Sequence, residues 1–385
     1  MTKICQTLVC ILLLTGCLAA CNRTPAPTDT PIPPPTPTSW PRPRLDTPEY
    51  GMHTFLWWSP DAIVEQDVKL VAEAGFGWIK QNVGWRDVEK YADLAPEHWD
   101  WALADRAVTV ARQYDLDILF RVDHQPLWAG DWNNGPPQNL ADFGRFCSVM
   151  AGRYRGKVRA YQVWNEPNLA REWAGRRPDP VEYVALLQTC YVAIKAADPG
   201  AIVVSAGLAP TATDDKGAMP DDKFLREMYE AGARPYFDVL GLHAPGYKAP
   251  PELSPDEAAA SDEYGRQRAF CFRHVEDMRA IMEQYGDGDK QVAIVEFGWT
   301  SDPREASSYH WHAVTEEQKA DYLVRAFRYA RENWSPWVGL MSVVYLPDIV
   351  WTPDHEQYWW AIIERPEPWQ VQPRPAYKAL KEMEK

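Results

Sequence analysis

Cysteine is scarce over most of the chain. Only three of the seven cysteines lie after residue 21, namely Cys147, Cys190 and Cys271, and none of them has CxxC spacing. An odd number without that spacing argues against a zinc site and against a disulfide framework. Because all three lie in helix-like segments, buried unpaired thiols are the preferred interpretation, and a single disulfide among them stays open.

Runs of basic residues are also lacking. The chain has 40 Lys and Arg against 54 Asp and Glu, a formal net charge of −14, and its positive charges are spread along the sequence. A surface for nucleic acid or anionic lipid would need a cluster of positive charge. We therefore expect no nucleic-acid partner and a neutral substrate.

The N-terminal apolar run is too short to cross a membrane. It covers residues 8–14, follows Lys3 and is typical of an export signal. The segment Leu18-Ala19-Ala20-Cys21 resembles the bacterial lipobox, in which the cysteine is lipidated and becomes the first mature residue. We predict a lipoprotein signal peptide over residues 1–20 and a lipid anchor at Cys21 as the only membrane contact, with Cys17 as the alternative.

Residues 21–46 are rich in proline and threonine. Repeated prolines prevent a helix or a central strand, so this segment is predicted to be an extended linker that holds a domain away from a membrane. We expect an exported protein of the bacterial cell envelope or the extracellular space, tethered by its lipid.

From residue 47 to residue 385, short apolar segments alternate with longer amphipathic ones. Three helix ends can be recognised: the cap Asp179-Pro180, the capping box that starts at Thr315, and the terminating Gly75. The predicted strands are Tyr50–Leu56, Gly77–Asn82, Asp117–Val122, Val158–Trp164, Ala201–Ser205, Phe237–His243, Gln291–Glu296 and Val338–Tyr345. This alternation predicts one α/β domain, a (β/α)₈ TIM barrel. A doubly wound sheet is the runner-up, but no glycine-rich phosphate loop follows the first strand.

Two carboxylates stand at strand ends in this pattern. Glu166 ends the fourth predicted strand, and Glu296 ends the seventh. The carboxyl ends of barrel strands meet at one mouth, where TIM barrels carry their chemistry. A carboxylate at the end of an apolar strand costs desolvation energy unless it is paired or used. Two such groups suit glycoside hydrolysis, and the charge of Glu296 is expected to raise the pKa of Glu166.

The motif Trp164-Asn165-Glu166-Pro167, followed by Glu296 on a seventh strand, resembles the clan A glycoside hydrolases, with families 39 and 5 as the nearest comparisons. The resemblance implies a retaining (β/α)₈ enzyme with Glu166 as acid/base and Glu296 as nucleophile. Asn165 would bind the sugar 2-hydroxyl, while His243 and Tyr247 match positions that bind substrate or orient the nucleophile. A satisfied loop histidine is the competing interpretation of His243.

Further substrate-binding residues are predicted around the mouth. His124 would hold a hydroxyl, Trp128 would line the cleft or pack its own loop, and Trp299 would stack on a sugar. Lys80 occupies the strand-two position where the resemblance implies arginine, although a lysine cannot form a bidentate fork. Trp351 would replace the tryptophan that the clan carries after strand eight. About half of a group of tryptophans after strands is also expected to stack, namely Trp57, Trp58, Trp85, Trp173, Trp299 and Trp311.

The sequence thus predicts a monomeric, retaining glycoside hydrolase that cleaves O-glycosidic, β-configured bonds in a polysaccharide or oligosaccharide. We expect neither a metal nor an organic cofactor. One alternative is a carbohydrate-binding or cell-surface barrel without turnover, which the presence of both glutamates disfavours. A transglycosylase with the same site is another alternative, because it differs only in the acceptor of the intermediate.

Overall fold

A computed structural model describes residues 40–91, 99–130 and 134–385. The predicted signal peptide, Cys21 and most of the proline-rich linker lie outside these residues. Export and lipidation therefore stay predictions.

Eight parallel strands close into a barrel in sequence order, each paired with its chain neighbours and β1 paired with β8. This confirms the predicted (β/α)₈ barrel. The fourth strand ends one residue early because Trp164 has a φ of 75°, outside the extended region. The strands are β1 Glu49–Thr54, β2 Trp78–Gly84, β3 Asp117–Asp123, β4 Ala160–Val163, β5 Ile202–Val204, β6 Val239–Pro245, β7 Gln291–Gly298 and β8 Val338–Val343.

Helices lie in the connections between strands and after the last strand, and the three predicted helix ends are confirmed. The Asp179 carboxylate accepts hydrogen bonds from the first-turn amides of Val181 and Glu182, and Thr315 forms a capping box with Gln318. Gly75, with a φ of 73°, follows the first helix. The helices are α1 Asp61–Glu73, α2 Trp85–Val88, α3 Ala102–Gln113, α4 Leu140–Arg153, α5 Pro180–Ala197, α6 Asp221–Glu230, α7 Pro255–Ala260, α8 His274–Gln284, α9 Glu316–Asn333, α10 Glu356–Trp360 and α11 Pro375–Glu382.

A short antiparallel pair, β9 Ile363–Glu364 and β10 Gln372–Pro373, precedes α11. Within the described ranges, no helix combines the length and the apolar character needed to span a bilayer.

The barrel interior changes from apolar to polar along its strands. Trp78 and Leu119 belong to a buried apolar cluster that includes Leu45, whose backbone N–H and C=O both bond the Gln291 side chain. Side chains alternate between the two faces of a strand, so Lys80 and Arg121, two residues further along, share the interior face. The barrel therefore carries an apolar layer below and buried charges toward its mouth.

A disulfide joins Cys147 in α4 to Cys190 in α5. The preferred prediction of unpaired thiols was wrong for these two residues, because α4 and α5 pack side by side and bring the two Cα atoms to 5.6 Å. Cys271 is free and buried, and it lies in the turn before α8 rather than in a helix.

Candidate active site

The segment after β4 turns Glu166 toward the barrel mouth. Both Trp164 and Glu166 have positive φ angles, 75° and 39°, and the amide of Glu166 donates to the carbonyl oxygen of Gly207 after β5. The indole of Trp164 is fully buried and donates to the carbonyl oxygen of Glu172. An apolar strand followed by Trp-Asn-Glu-Pro thus ends in a fixed turn that presents a carboxylate.

Glu296 reaches the same mouth from β7. The pairing of β6 with β7 shifts register between Leu242 and His243, which places His243 opposite Glu296. A bulge of this kind re-aims a side chain near an active site. The imidazole of His243 then contacts both carboxylates, with Nδ1 2.9 Å from Glu166 Oε1 and Nε2 3.8 Å from Glu296 Oε1. Both predicted catalytic glutamates therefore lie within 4 Å of the same imidazole ring.

Several basic side chains converge on one oxygen of Glu296. Lys80 Nζ lies 2.6 Å from Oε1, His53 Nδ1 lies 3.4 Å away, and Arg121 Nη1 lies 3.6 Å away. Burial alone would raise the pKa of Glu296, but Lys80, His243 and His53 together hold it well below its ordinary value. Glu296 is therefore ionised at neutral pH.

Burial also shifts the partners of Glu296. It lowers the pKa of Lys80 to about 8 despite the opposing carboxylate, and burial next to Lys80 lowers the pKa of His53 to about 4. His53 is consequently neutral at pH 7. Among these partners, the Lys80 ammonium group is the positive charge closest to the Glu296 carboxylate. Because Lys80 is fully buried, we interpret it as a partner of this carboxylate.

Glu166 is ion-paired on its outer side. Arg171 Nη2 lies 2.6 Å from Glu166 Oε2, on a side chain that is 62% exposed. Burial and the Glu296 charge raise the pKa of Glu166, but the hydrogen bond and charge of His243, with the charge of Arg171, outweigh them and lower it. The expected rise was therefore wrong for this state of the site, because the contacts of Glu166 with Arg171 and with His243 of β6 were not visible in the sequence.

A cavity of about 330 Å³ opens beside the two glutamates, which we call the main cavity. Polar and aromatic side chains share its walls, a combination that suits a hydroxyl-rich ligand. Its lining includes Glu166, Arg171, His243, Tyr247, Glu296, Tyr309, Tyr345, Glu356 and Trp360.

Asn165 and Tyr247 both lie close to this site. The backbone of Asn165 pairs with Gly207, and its buried Oδ1 finds no hydrogen-bond partner among the described residues. Tyr247 lines the main cavity, and its hydroxyl donates to the carbonyl oxygen of Pro210 at 2.7 Å.

The remaining predicted residues are spread more widely. His124 Nδ1 lies 2.6 Å from Asp123 Oδ1, on the side of the mouth formed by β2 and β3. Trp128 packs its own loop, with its ring edge on Trp85 and its indole N–H bonded to a backbone carbonyl. The ring of Trp351 contacts the rings of Phe55, after β1, and Tyr345, after β8.

The tryptophans after strands fall into two groups. The prediction that Trp299 stacks on a sugar was wrong, because its ring is fully buried against Gly246 and its indole donates to Ala249. Trp85 and Trp173 are buried in the same way, whereas Trp58 and Trp311 are 63% and 45% exposed.

Several site residues were missed in the sequence. His53 and Arg121 are charged or polar residues inside apolar strands, and that pattern could have identified them as partners of a buried carboxylate. Arg171 lies in a short turn after β4 and Glu356 is the first residue of α10, and neither spacing nor periodicity in the sequence indicates that these two residues reach the cavity. Among the residues that the structure describes, no group of His, Cys, Asp and Glu is arranged to hold a metal ion.

Part of the chain is similar in sequence to known glycoside hydrolases. Residues 44–231, just under half of the chain, match the model of Cellulase (glycosyl hydrolase family 5). A phospho-cellobiase of Klebsiella oxytoca is 25% identical over 112 residues, which cover 27% of this chain and 24% of that protein. The chain thus spans about a quarter of that relative.

Solved structures match over most of the chain. A family 39 glycoside hydrolase of Bacteroides cellulosilyticus WH2 has a TM-score of 0.61 at 16% identity, covering 86% of this chain and 62% of that one. Xylanase 10B of Thermotoga maritima has a TM-score of 0.55 at 16% identity, covering 86% and 93%. Because the sequence identity is only 16%, this structural similarity shows the fold alone.

Proposed function

We propose that the chain is a clan A glycoside hydrolase that hydrolyses β-glycosidic bonds with retention of configuration, a proposal supported by the family 5 match over residues 44–231 and by the closed barrel. Glu296 is the nucleophile and Glu166 the general acid/base. The observation that carries this proposal is the His243 imidazole, which contacts both carboxylates at the carboxyl ends of β4 and β7. In the retaining mechanism no water stands between nucleophile and sugar, so we expect the two carboxyl groups to lie about 5 to 5.5 Å apart.

The names of the sequence relatives support a β-glycosidase. The Klebsiella protein is called a phospho-cellobiase, and a relative from Dickeya chrysanthemi is called a 6-phospho-beta-glucosidase. Each match covers about a quarter of that relative, so the substrate of this chain is proposed only as a polysaccharide or oligosaccharide with β-linked sugars.

In the first step, the Glu296 carboxylate attacks the anomeric carbon and forms an ester bond to the sugar. The bond from that carbon to the leaving oxygen breaks, and Glu166 donates its proton to this oxygen. Lys80 keeps Glu296 ionised and directs one of its oxygens. Asn165, with its unpartnered Oδ1, accepts from the sugar 2-hydroxyl.

In the second step, Glu166 acts as a base toward water. In the free site the charge of Glu296 opposes the lowering of the Glu166 pKa by His243 and Arg171, and ester formation removes that charge. The pKa of Glu166 therefore falls in the intermediate, which favours the carboxylate that takes a proton from water. The water oxygen then attacks the anomeric carbon, the ester bond breaks, and Glu296 is regenerated.

The two roles can be tested by what each substitution leaves behind. Glu296→Gln removes the nucleophile, so activity should fall severely on natural and nitrophenyl glycosides alike. In Glu166→Ala, a nitrophenolate still leaves without protonation, but water lacks its base and the intermediate should accumulate. Azide needs no base, so it should restore turnover and give a β-glycosyl azide.

Glu263→Gln, an exposed glutamate on the surface, is the matched control and should retain wild-type kinetics. Azide rescue of Glu296→Gln that gives a β-glycosyl azide with retained configuration would exchange the two roles. Wild-type activity in both variants would place the chemistry elsewhere.

We also propose that the protein is exported and attached to the membrane by a lipid on Cys21. The support is the sequence pattern alone: an apolar N-terminal run, a lipobox-like segment and a proline-rich linker. Cys21→Ala should abolish incorporation of labelled palmitate and release the protein from the membrane fraction. Labelling that persists in Cys21→Ala and disappears in Cys17→Ala would assign the lipid to Cys17.

A further inference from the structure

Glu172 is a largely buried carboxylate for which the proposed reaction has no use. It ends the short turn that follows β4, and its side chain is 16% exposed. Its position is fixed, because its carbonyl oxygen accepts from the Trp164 indole and its carboxylate accepts from Asn134 Nδ2. Among the described residues its one ion pair is with Arg171, whose Nε lies 3.8 Å from Oε1. A carboxylate that is buried with so distant a cation indicates a functional role.

Arg171 lies between two carboxylates. Its Nη2 is 2.6 Å from Glu166 Oε2, and its Nε is 3.8 Å from Glu172 Oε1. The arginine side chain is 62% exposed, and exposed side chains change rotamer within nanoseconds. Arg171 also lines the main cavity, so a leaving group that contacts Glu166 competes with this guanidinium for the same carboxyl group. Glu172 is the partner to which Arg171 can turn.

The two carboxyl groups hold protons unequally in the free site. Burial and the charge of Glu166 raise the pKa of Glu172 to about 7. Burial acts on Glu166 in the same sense, but His243 and Arg171 outweigh it and lower the pKa of Glu166. Just below pH 7, therefore, Glu166 is ionised and paired with Arg171, while Glu172 is protonated. A general acid needs the opposite arrangement when the leaving oxygen arrives.

The other titratable groups near this pair come from four parts of the fold. On β3, Arg121 lowers the pKa of Glu172 and Asp123 raises it, so these two charges oppose each other. Further groups on β6, β7, the connection after β7 and α10 act on Glu166 or Arg171, namely His243, Glu296, Tyr309 and Glu356. Within this group of described residues, Arg171 is the exposed cation, so it is the one that can move between the two carboxylates.

We propose that Glu172 is a positioning residue for the acid Glu166, and that substrate binding moves Arg171 from Glu166 to Glu172. A proton moves the other way: the O–H bond of Glu172 breaks, and the proton passes through solvent to form an O–H bond on Glu166. The three groups hold one proton and one ion pair before and after, so their net charge is unchanged. Glu166 then meets the leaving oxygen as a protonated acid. This inference rests on the proposed glycosidase activity.

The first test compares a leaving group that needs a proton with one that does not. The probes are phenyl and 2,4-dinitrophenyl β-cellobioside, and the matching pair of β-xylobiosides. Glu172→Gln keeps the side-chain shape but lacks the charge that holds Arg171 away from Glu166. For the pair that wild type cleaves, kcat/KM should fall about tenfold on the phenyl glycoside, a part of the roughly 100-fold or larger contribution of a general acid. It should stay at the wild-type value on the dinitrophenyl glycoside.

The second test follows the pH profile of kcat/KM on the phenyl glycoside. In Glu172→Gln, Arg171 stays on Glu166 and favours its carboxylate form, so the basic limb should move to lower pH. Arg171→Gln should move this limb to higher pH, because Glu166 loses a cation. In the double variant Arg171→Gln/Glu172→Gln no guanidinium has to be displaced, so its phenyl-to-dinitrophenyl ratio of kcat/KM should return toward that of Arg171→Gln. Glu172→Asp, which keeps the charge, should recover most of the wild-type ratio.

Glu49→Gln is the matched control, because Glu49 is also 16% exposed and paired with an arginine, Arg159, but begins β1 at the other end of the barrel. Its ratio should equal that of wild type. An equal loss on both glycosides in Glu172→Gln, an unchanged ratio, or a double variant with the ratio of Glu172→Gln would overturn the inference while leaving the glycosidase proposal intact. Absence of cleavage of all four probes and of polysaccharides by wild type would overturn the glycosidase proposal itself.

Discussion

Lys80 Nζ lies 2.6 Å from Glu296 Oε1, and the lysine side chain is only 1% exposed. A buried charge is tolerated only with a partner, so each residue accounts for the presence of the other. A lysine offers a point charge rather than the two-pronged contact of an arginine. Arg121, at 3.6 Å from the same oxygen, adds a second positive charge from β3.

Lys80→Met should move the acidic limb of the kcat/KM profile to higher pH. The positive charge of Lys80 helps to lower the pKa of Glu296, so its removal raises that pKa and the nucleophile becomes protonated at a higher pH. We expect a shift of about one pH unit or more, measured with a nitrophenyl glycoside. Lys69→Met, which removes a half-exposed helix lysine, is the control. An unmoved acidic limb would show that Lys80 does not control the ionisation of Glu296.

Arg171→Gln should move the basic limb of the same profile to higher pH. Arg171 favours the carboxylate form of Glu166, so its loss raises the pKa of Glu166 and keeps the acid protonated at higher pH. Arg176→Gln, which removes a half-exposed arginine paired with Glu182, should leave the limb in place. A shift to lower pH in Arg171→Gln would contradict this account of the acid.

Gly207→Ala should inactivate the enzyme by displacing His243. A Cβ at Gly207 would overlap the imidazole ring of His243, which contacts both glutamates. Overpacking of this kind costs about 1 to 3 kcal/mol of stability, so the variant should still fold, as judged by circular dichroism. Gly152→Ala is the matched control, because its Cβ would meet no atom within 4 Å. Full activity in Gly207→Ala would mean that the position of His243 is not critical.

The disulfide should contribute measurably to stability. It closes a loop of 43 residues between Cys147 and Cys190, and the loss of unfolded-state entropy on closing such a loop corresponds to about 3 to 4 kcal/mol. Urea unfolding should show this difference between wild type and the Cys147→Ala/Cys190→Ala double variant. Reductant should lower the midpoint of wild type alone. An equal response of both proteins to reductant would indicate that the cysteines are not bonded in solution.

The sequence by itself was sufficient for the barrel and for the two glutamates. Strand and helix periodicity are local, and so are the caps at Asp179 and Thr315, so eight repeating units could be recognised without any knowledge of packing. Closure of parallel strands then brings the end of β4 and the end of β7 to one mouth. The positions of Glu166 and Glu296 follow from local pattern and general topology.

Only the tertiary structure decided which groups surround those glutamates. One oxygen of Glu296 is contacted by side chains from three strands, namely His53, Lys80 and Arg121. Glu166 is contacted by Arg171, which lies in a short turn after β4. The pKa of each carboxylate depends on these distances, which no spacing along the chain encodes. The same reason explains the disulfide between adjacent helices and the burial of Trp299, since contacts between distant segments arise only when the elements pack.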